Sequence, residues 1–279
     1  LKITTYEADN VLKQGYFRIF REIFLEVFRN RWLMLQLFKR DLFALYKQSF
    51  IGVLWAVIIP LISVGTFILL NRSGVFTLGE LDAPYPIFAV LGMAFWQLFS
   101  TGLIASSNSL VKAGSMIVKI NFSKKSLVLA SLGQSLVSFM IQLLLVSILF
   151  GYYGRSPNLY ALLIPVLILP MVFLTCGLGF ILSILNGIMR DIGNAISVLM
   201  TFLLFLTPVL YAKPRGGVLA VISLYNPLYY LVSFPRDLVL AGSSSQLTGF
   251  LISTGISILV FFVCIFIFHL AETRVTERI

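Results

Sequence analysis

Six stretches of the chain are long, apolar and free of Lys, Arg, Asp and Glu: 50–70, 86–108, 126–150, 159–185, 192–212 and 247–270. About 20 such residues carry a helix across the hydrocarbon core of a bilayer. In lipid the backbone must satisfy its own hydrogen bonds within helices or a closed barrel. The runs are continuous rather than alternating, so an all-α membrane protein with six transmembrane helices is predicted. Pro165 and Pro170 each remove a helical hydrogen bond from the fourth run, where a broken or tilted span is expected. Ahead of the first run the pattern changes. From Tyr16 to Asn30, Phe17, Phe20, Phe24, Val27 and Phe28 fall near one helical face and Arg18, Glu22, Glu26 and Arg29 on the other, with Ile19, Arg21 and Ile23 between them. This predicts an amphipathic helix lying in the membrane interface, which either anchors the chain or presents a surface to a cytoplasmic partner.

The segment from Arg40 to Pro60 passes from charged to charge-free without a break, and marks where the polypeptide enters the membrane. The connection 213–246 is apolar in two pieces, 218–225 and 228–234, cut by Asn226-Pro227 and by Pro235-Arg236-Asp237. Too interrupted for an ordinary span, it predicts two short helices that dip in from the outer face and turn back. They form either an outer gate, with Tyr225, Asn226, Pro227, Tyr229 and Tyr230 at its centre, or a cap over the bundle. The expected layout is a cytoplasmic segment 1–49, a transmembrane domain 50–270 containing the re-entrant segment 213–246, and a cytoplasmic tail 271–279.

Charge fixes the expected orientation. With both termini inside, sixteen of the 21 Lys and Arg residues face the cytoplasm, nine of them before Phe50, and Arg72, Arg155, Lys213, Arg215 and Arg236 remain outside. The positive-inside rule favours that arrangement. The net charge of +10 belongs to this asymmetry, since no nucleic-acid-binding motif accompanies it. With 59% hydrophobic and 11% charged residues the chain lies far from soluble domains. Cys176 and Cys264 both sit in apolar runs and read as packing residues, not as a disulfide or metal site. No signal-peptide pattern opens the sequence, so the first span is expected to direct targeting.

Chemistry is conspicuous by what the sequence lacks. No Gly-x-x-x-x-Gly-Lys-[Ser/Thr] loop is present for ATP, and no span carries the ionisable residues of an ion-driven carrier. Uphill movement of a cargo would therefore draw on another polypeptide. The inner loop around 110–125, with Lys112, Lys119, Asn121, Phe122 and Lys124, is either a solvated positive-inside loop or the contact for that partner. Arg40 and Lys47 are placed to attract a lipid diphosphate near the inner headgroups, although topology alone also accounts for them. Trp55, Phe95, Trp96, Phe99, Phe202 and Phe205 belong to a dense aromatic set that either packs the bundle or lines a path on which sugars slide.

Several separated pieces then occur in a familiar order: Arg40-Asp41 with Tyr46, Gly52, Trp55 and Pro60; Pro84-Tyr85 with Gly92 and Trp96; Ser106-Ser107-Asn108-Ser109-Leu110 leading to Asn121-Phe122; and Gly179, Asn186, Arg190-Asp191, Pro208-Val209, Tyr211 and Asn226-Pro227. From about residue 30 onward the chain resembles the membrane subunits of ATP-binding cassette exporters of polysaccharides and polyol phosphates, of the O-antigen and teichoic acid type. The resemblance implies a homodimer in the cell inner membrane, joined to two separate nucleotide-binding subunits that use ATP and Mg; the chain itself is expected to hold no cofactor and to have no enzymatic site. It also implies a lipid-linked glycan as cargo, a coupling helix in 109–125, and a periplasmic gate in 213–246. A permease for a small lipid or drug, or a membrane enzyme acting on a polyprenol-linked substrate, stands as the alternative. The scattered carboxylates Asp41, Glu80, Asp82, Asp191 and Asp237 form no pair for the enzyme reading.

Overall fold

A computed structural model describes residues 16–47, 54–73, 83–114, 123–212 and 216–275, and among these every regular element is helical. In chain order they are α1 (Tyr16–Arg29), α2 (Arg31–Lys47), α3 (Trp55–Arg72), α4 (Tyr85–Ser107), the short α5 (Ser109–Ala113) and α6 (Lys125–Tyr152). A 3-10 turn (Leu159–Leu163) leads into α7 (Ile164–Leu167) and α8 (Leu169–Ile188). Then come α9 (Asp191–Leu206), α10 (Val218–Tyr225), α11 (Pro227–Ala241) and α12 (Leu247–Val275).

The bundle is built around α4, seventeen of whose 23 residues are buried. It packs along α6, α8 and α11, while α8 also runs along α12 and α2 lies against α6. Small residues let these helices approach closely, as lipid-embedded interfaces require. A Cβ on Gly92 would stand 2.5 Å from the Val209 carbonyl oxygen, and one on Gly177 would stand 2.8 Å from the Phe261 Cα. The larger apolar cluster surrounds α4 with Phe95, Phe139, Met171 and Leu231 among its members. A second cluster joins Ile19, Ile23 and Leu37 of α1 and α2 to Val128, Phe180 and Phe268.

Among the described residues, four helical stretches are long and apolar enough to cross a membrane: 85–107, 125–152, 159–188 and 247–272. The bent pair α10–α11 makes a fifth when taken as one span. The expectation of six is thus met in its coarser form, that of an all-helical protein with several spans. At 1.5 Å per residue, the 16 residues of α9 reach about 24 Å, short of the roughly 30 Å hydrocarbon core. It stops at Leu206 because Thr207, ahead of Pro208, is extended. The fourth run is interrupted where predicted. Pro165 and Pro170 fall in the first turns of α7 and α8, where a missing N–H leaves no helical bond unmade.

Two expectations need correcting. Asn226-Pro227 does break the 213–246 connection, with α10 and α11 meeting at 86°, but Pro235-Arg236-Asp237 does not. Pro235 lies within a continuous α11, whose packing on α4 and α12 outweighs one lost hydrogen bond. In α1, Ile19 and Ile23, placed between the faces by the sequence pattern, are the side chains turned into the bundle, while Phe24 and Phe28 are exposed. Phe20 reaches Phe262 and Phe266 of α12, with ring centroids 5.6 and 5.9 Å apart.

Candidate functional site

One end of the bundle gathers charge. There α4 ends, α5 turns and α6 begins. Lys125, the first residue of α6, is 0% exposed. Its ammonium lies 2.8 Å from Glu26 Oε2 of α1 and in direct contact with Glu272 Oε2 of α12. The preceding residue strengthens the join, because the Lys124 backbone N–H donates to Glu272 Oε1 at 2.7 Å and its ammonium donates to the Glu272 carbonyl at 3.3 Å. A buried ammonium without partners would be prohibitive; two carboxylates make this one tolerable. Burial pushes the Glu26 carboxyl up, but the charge and hydrogen bond of Lys125 outweigh it and hold the group below the ordinary carboxylate range. Burial likewise pushes the Lys124 ammonium down, and Lys125 adds to this against the opposing pull of Glu272. Glu26, His269 and Glu272 bring ligand-type atoms within 4.8 Å of one another, yet Lys125 already supplies the cation between the carboxylates.

Beside this node the turns are tied by amide chemistry. Asn186, buried near the end of α8, donates from Nδ2 to the Ser107 carbonyl and to Asn108 Oδ1, each at 3.1 Å. Its Oδ1 accepts the Gly193 N–H at 2.9 Å. One side chain thereby fastens the ends of α4, α8 and α9. Between α2 and the α4–α5–α6 corner opens a cavity of about 250 Å3, with Arg40, Asp41, Ser109, Lys112, Ser131 and Gln134 on its wall.

Of the predicted coupling residues, Lys112 stands exposed at this cavity and Lys124 belongs to the charged node. Lys119, Asn121 and Phe122 lie outside the described residues. Arg40 lines the cavity, paired at 2.8 Å with Asp41. Lys47 closes α2, its side chain outside the described residues. The aromatic set divides. Phe95, Trp96 and Phe99 are buried within the subunit, Phe95 against Phe139 at 5.4 Å between centroids. Trp55, Phe202 and Phe205 are exposed, the last two by 63% and 54%.

At the opposite end the bent pair meets α9. Asn226 caps α11 by accepting the Leu228 N–H at 3.0 Å and donates to Thr207 Oγ1 at 2.9 Å, with Pro227 at the first helical position. Tyr229 is buried, Tyr225 is exposed, and the Tyr230 hydroxyl donates to the Leu224 carbonyl at 3.0 Å. Arg236, counted among the outer charges by sequence, is buried within the subunit. Its guanidinium stacks 3.8 Å from the Phe88 ring centroid and donates to the carbonyls of Pro208 and Val209. Sequence reasoning also missed the inward turn of Lys125, Glu26 and Glu272. The one available signal was that Lys125 stands at the boundary of an uncharged run.

The described residues thus bring together a buried charge cluster, an amide-tied corner and a cavity with charged side chains on its wall. Residues 33–240 match the family described as ABC-2 type transporter. The chain is 30% identical over 186 residues to the O-antigen export system permease protein RfbA of Myxococcus xanthus, which covers 67% of this chain and 70% of that protein. It is 26% identical over 238 residues to an O-antigen export system permease protein RfbA of Klebsiella pneumoniae, covering 84% and 90%. A match spanning three quarters of the sequence leaves no doubt about descent, and the chain belongs to the ABC-2 type transporter membrane family.

Proposed function

We propose that this chain is the membrane subunit of an ATP-driven exporter that carries a lipid-linked, O-antigen-type polysaccharide from the cytoplasmic to the outer side of the inner membrane. The observation that carries the reading is the family match across α2 to α11, joined to relatives named for O-antigen export. In this reading two copies form the translocation unit, and two separate nucleotide-binding subunits supply ATP hydrolysis with Mg. Both termini lie in the cytoplasm, which puts the Lys125 node and the segment 115–122 on the ATPase side.

Force from the ATPase enters through α5 and the segment after it, with Lys112, Lys119, Asn121, Phe122 and Lys124 as the contact. Arg40 and Lys47 draw the lipid diphosphate to the inner headgroup level. Of the aromatic set, exposed Trp55, Phe202 and Phe205 are the ones available to face a path between subunits. Phe95, Trp96 and Phe99 support that wall from behind. Tyr225, Asn226, Pro227, Tyr229 and Tyr230 form the hinge of the periplasmic gate, where the 86° bend between α10 and α11 gives two short levers.

Depleting the protein in its native cell, with lipid-linked glycan measured on both membrane faces, tests the assignment. Accumulation inside with loss outside is expected. Normal delivery would reject glycan export, and absent synthesis would turn attention to an enzyme.

A further inference from the structure

Packing leaves α1 with an exposed aromatic face. Ile19 and Ile23 turn into the bundle, and Phe24, Leu25 and Phe28 stay outside it. That face continues past the end of α1. The Asn30 N–H donates to the Glu26 carbonyl and the Met34 N–H to the Asn30 carbonyl, each at 3.0 Å, so helical hydrogen bonding carries through into α2. Phe24, Phe28 and Trp32 then follow at intervals of four, which places them on one stripe. Phe28 and Trp32 are 66% and 67% exposed.

The neighbouring helix α12 indicates what covers the stripe. It buries Ser257, Phe261 and Phe268 and exposes Leu259, Phe262 and Val263. Its outer face is thus apolar within a stretch long enough to cross the membrane, where acyl chains are the solvent. α1 lies against that face: the rings of Phe24 and Phe262 are 6.5 Å apart between centroids, and Phe20 touches both Phe262 and Phe266. Phe262 and Phe266 precede Glu272, the last residue of that stretch, by about 9–15 Å along the helix. The contact therefore falls within the leaflet and not below it.

Three cations flank the stripe. Arg21, Arg29 and Arg31 are exposed, and none is paired with a carboxylate among the described residues. Glu26 of the same segment is held by Lys125. The Arg31 guanidinium lies 4.7 Å from the Phe28 ring centroid, which seats a charge directly on the apolar stripe. Exposed rings call for acyl chains, and unpaired guanidinium groups call for phosphate oxygens, which they bind as a fork. An acidic phospholipid offers both. A zwitterionic one brings its own ammonium to compete with the arginines.

We infer that the α1–α2 corner is a binding surface for acidic phospholipid on the Lys125 side of the membrane. Phe24, Phe28 and Trp32 enter the acyl boundary, and Arg21, Arg29 and Arg31 hold the phosphates. This lipid is a resident of the bilayer and not cargo, so the surface acts whatever the protein exports.

Trp32 reports on the surface directly. The full-length protein is reconstituted in vesicles of phosphatidylglycerol and phosphatidylcholine in equal parts, with one or the other brominated on its acyl chains. The share of Trp32 in the fluorescence quenching is the difference between wild type and Trp32→Phe. Brominated phosphatidylglycerol is expected to quench Trp32 about two- to five-fold more than brominated phosphatidylcholine, and the ratio to fall in about 0.5 M salt. Arg29→Gln combined with Arg31→Gln should bring the ratio close to one. In that variant brominated phosphatidylcholine should still quench Trp32 and the unfolding midpoint should stay near wild type, which keeps lost selection distinct from lost folding. Equal quenching by the two lipids in the wild type, or an unchanged ratio in the double variant, would overturn the inference. Absence of Trp32 quenching by either lipid would also overturn it, and would give the stripe to water or to a protein partner.

Discussion

Lys125 shows how far one residue's environment can depart from its local sequence. Its carboxylate partners lie 99 and 147 positions away, so beyond its place at the edge of an uncharged run nothing beside it in the chain signals that it is buried. Counted by charge it belongs to the positive-inside set; folded, it ties α1, α6 and α12 together. Replacing it by Met would leave Glu26 and Glu272 without their cation and should destabilise the protein by about 3–5 kcal/mol, read from the unfolding midpoint in micelles. A reversed pair, Lys125→Glu with Glu26→Lys, should recover only part of that loss because Glu272 then faces a carboxylate. Acid should weaken the same join. The folded Glu26 carboxyl titrates below its ordinary value of 4.5, so its contribution is complete above about pH 4.5 and disappears as pH falls through the lower, folded-state value. The midpoint difference between wild type and Glu26→Gln should therefore be largest near neutrality and shrink below about pH 4.5. A constant difference across that range would assign the effect to shape rather than charge.

Elements were legible where a local rule decides them and illegible where packing decides. Six apolar runs predicted helices in the right order, and Pro165 and Pro170 marked the broken entrance to α8 because a proline constrains its own turn. Pro235 obeys no such local rule: it stays inside α11 because that helix is held along α4 and α12. The same dependence on contact explains α1, whose inward stripe is Ile19 and Ile23 although its aromatic residues make the stronger pattern. Packing at Gly92 can be probed directly. A methyl group there would sit 2.5 Å from the Val209 carbonyl and 3.3 Å from Arg236 Nη1, both of which are already joined by a hydrogen bond at 3.0 Å. Gly92→Ala should cost about 1–3 kcal/mol and loosen the turn after α9. Faster proteolysis at 207–217 would report that loosening, while wild-type cleavage with an unchanged midpoint would show that the turn yields without strain.

For the molecule as a whole, the two polar ends do different work from the apolar middle. One end fastens α1, α6 and α12 through Lys125 and α4, α8 and α9 through Asn186; the other holds the α9 exit to α11 through Arg236 and Asn226. A bundle pinned at both ends responds to a push as a body, which suits a subunit driven from outside. On the export reading, its surface between the pins is where cargo and partner are met, and there the aromatic set divides by exposure. Phe202 and Phe205 project from α9, whereas Phe95, Trp96 and Phe99 fill the core. If α9 faces the cargo path, Phe202→Ala with Phe205→Ala should slow glycan delivery several-fold while assembly with the ATPase and the unfolding midpoint stay close to wild type. Two exposed rings contribute little to folding, so a fall in the midpoint would identify them as packing residues of a subunit interface. Unchanged delivery would place them against lipid. The comparison is informative because Phe95→Ala, made in the core, should instead cost about 3–5 kcal/mol of stability whatever the cargo.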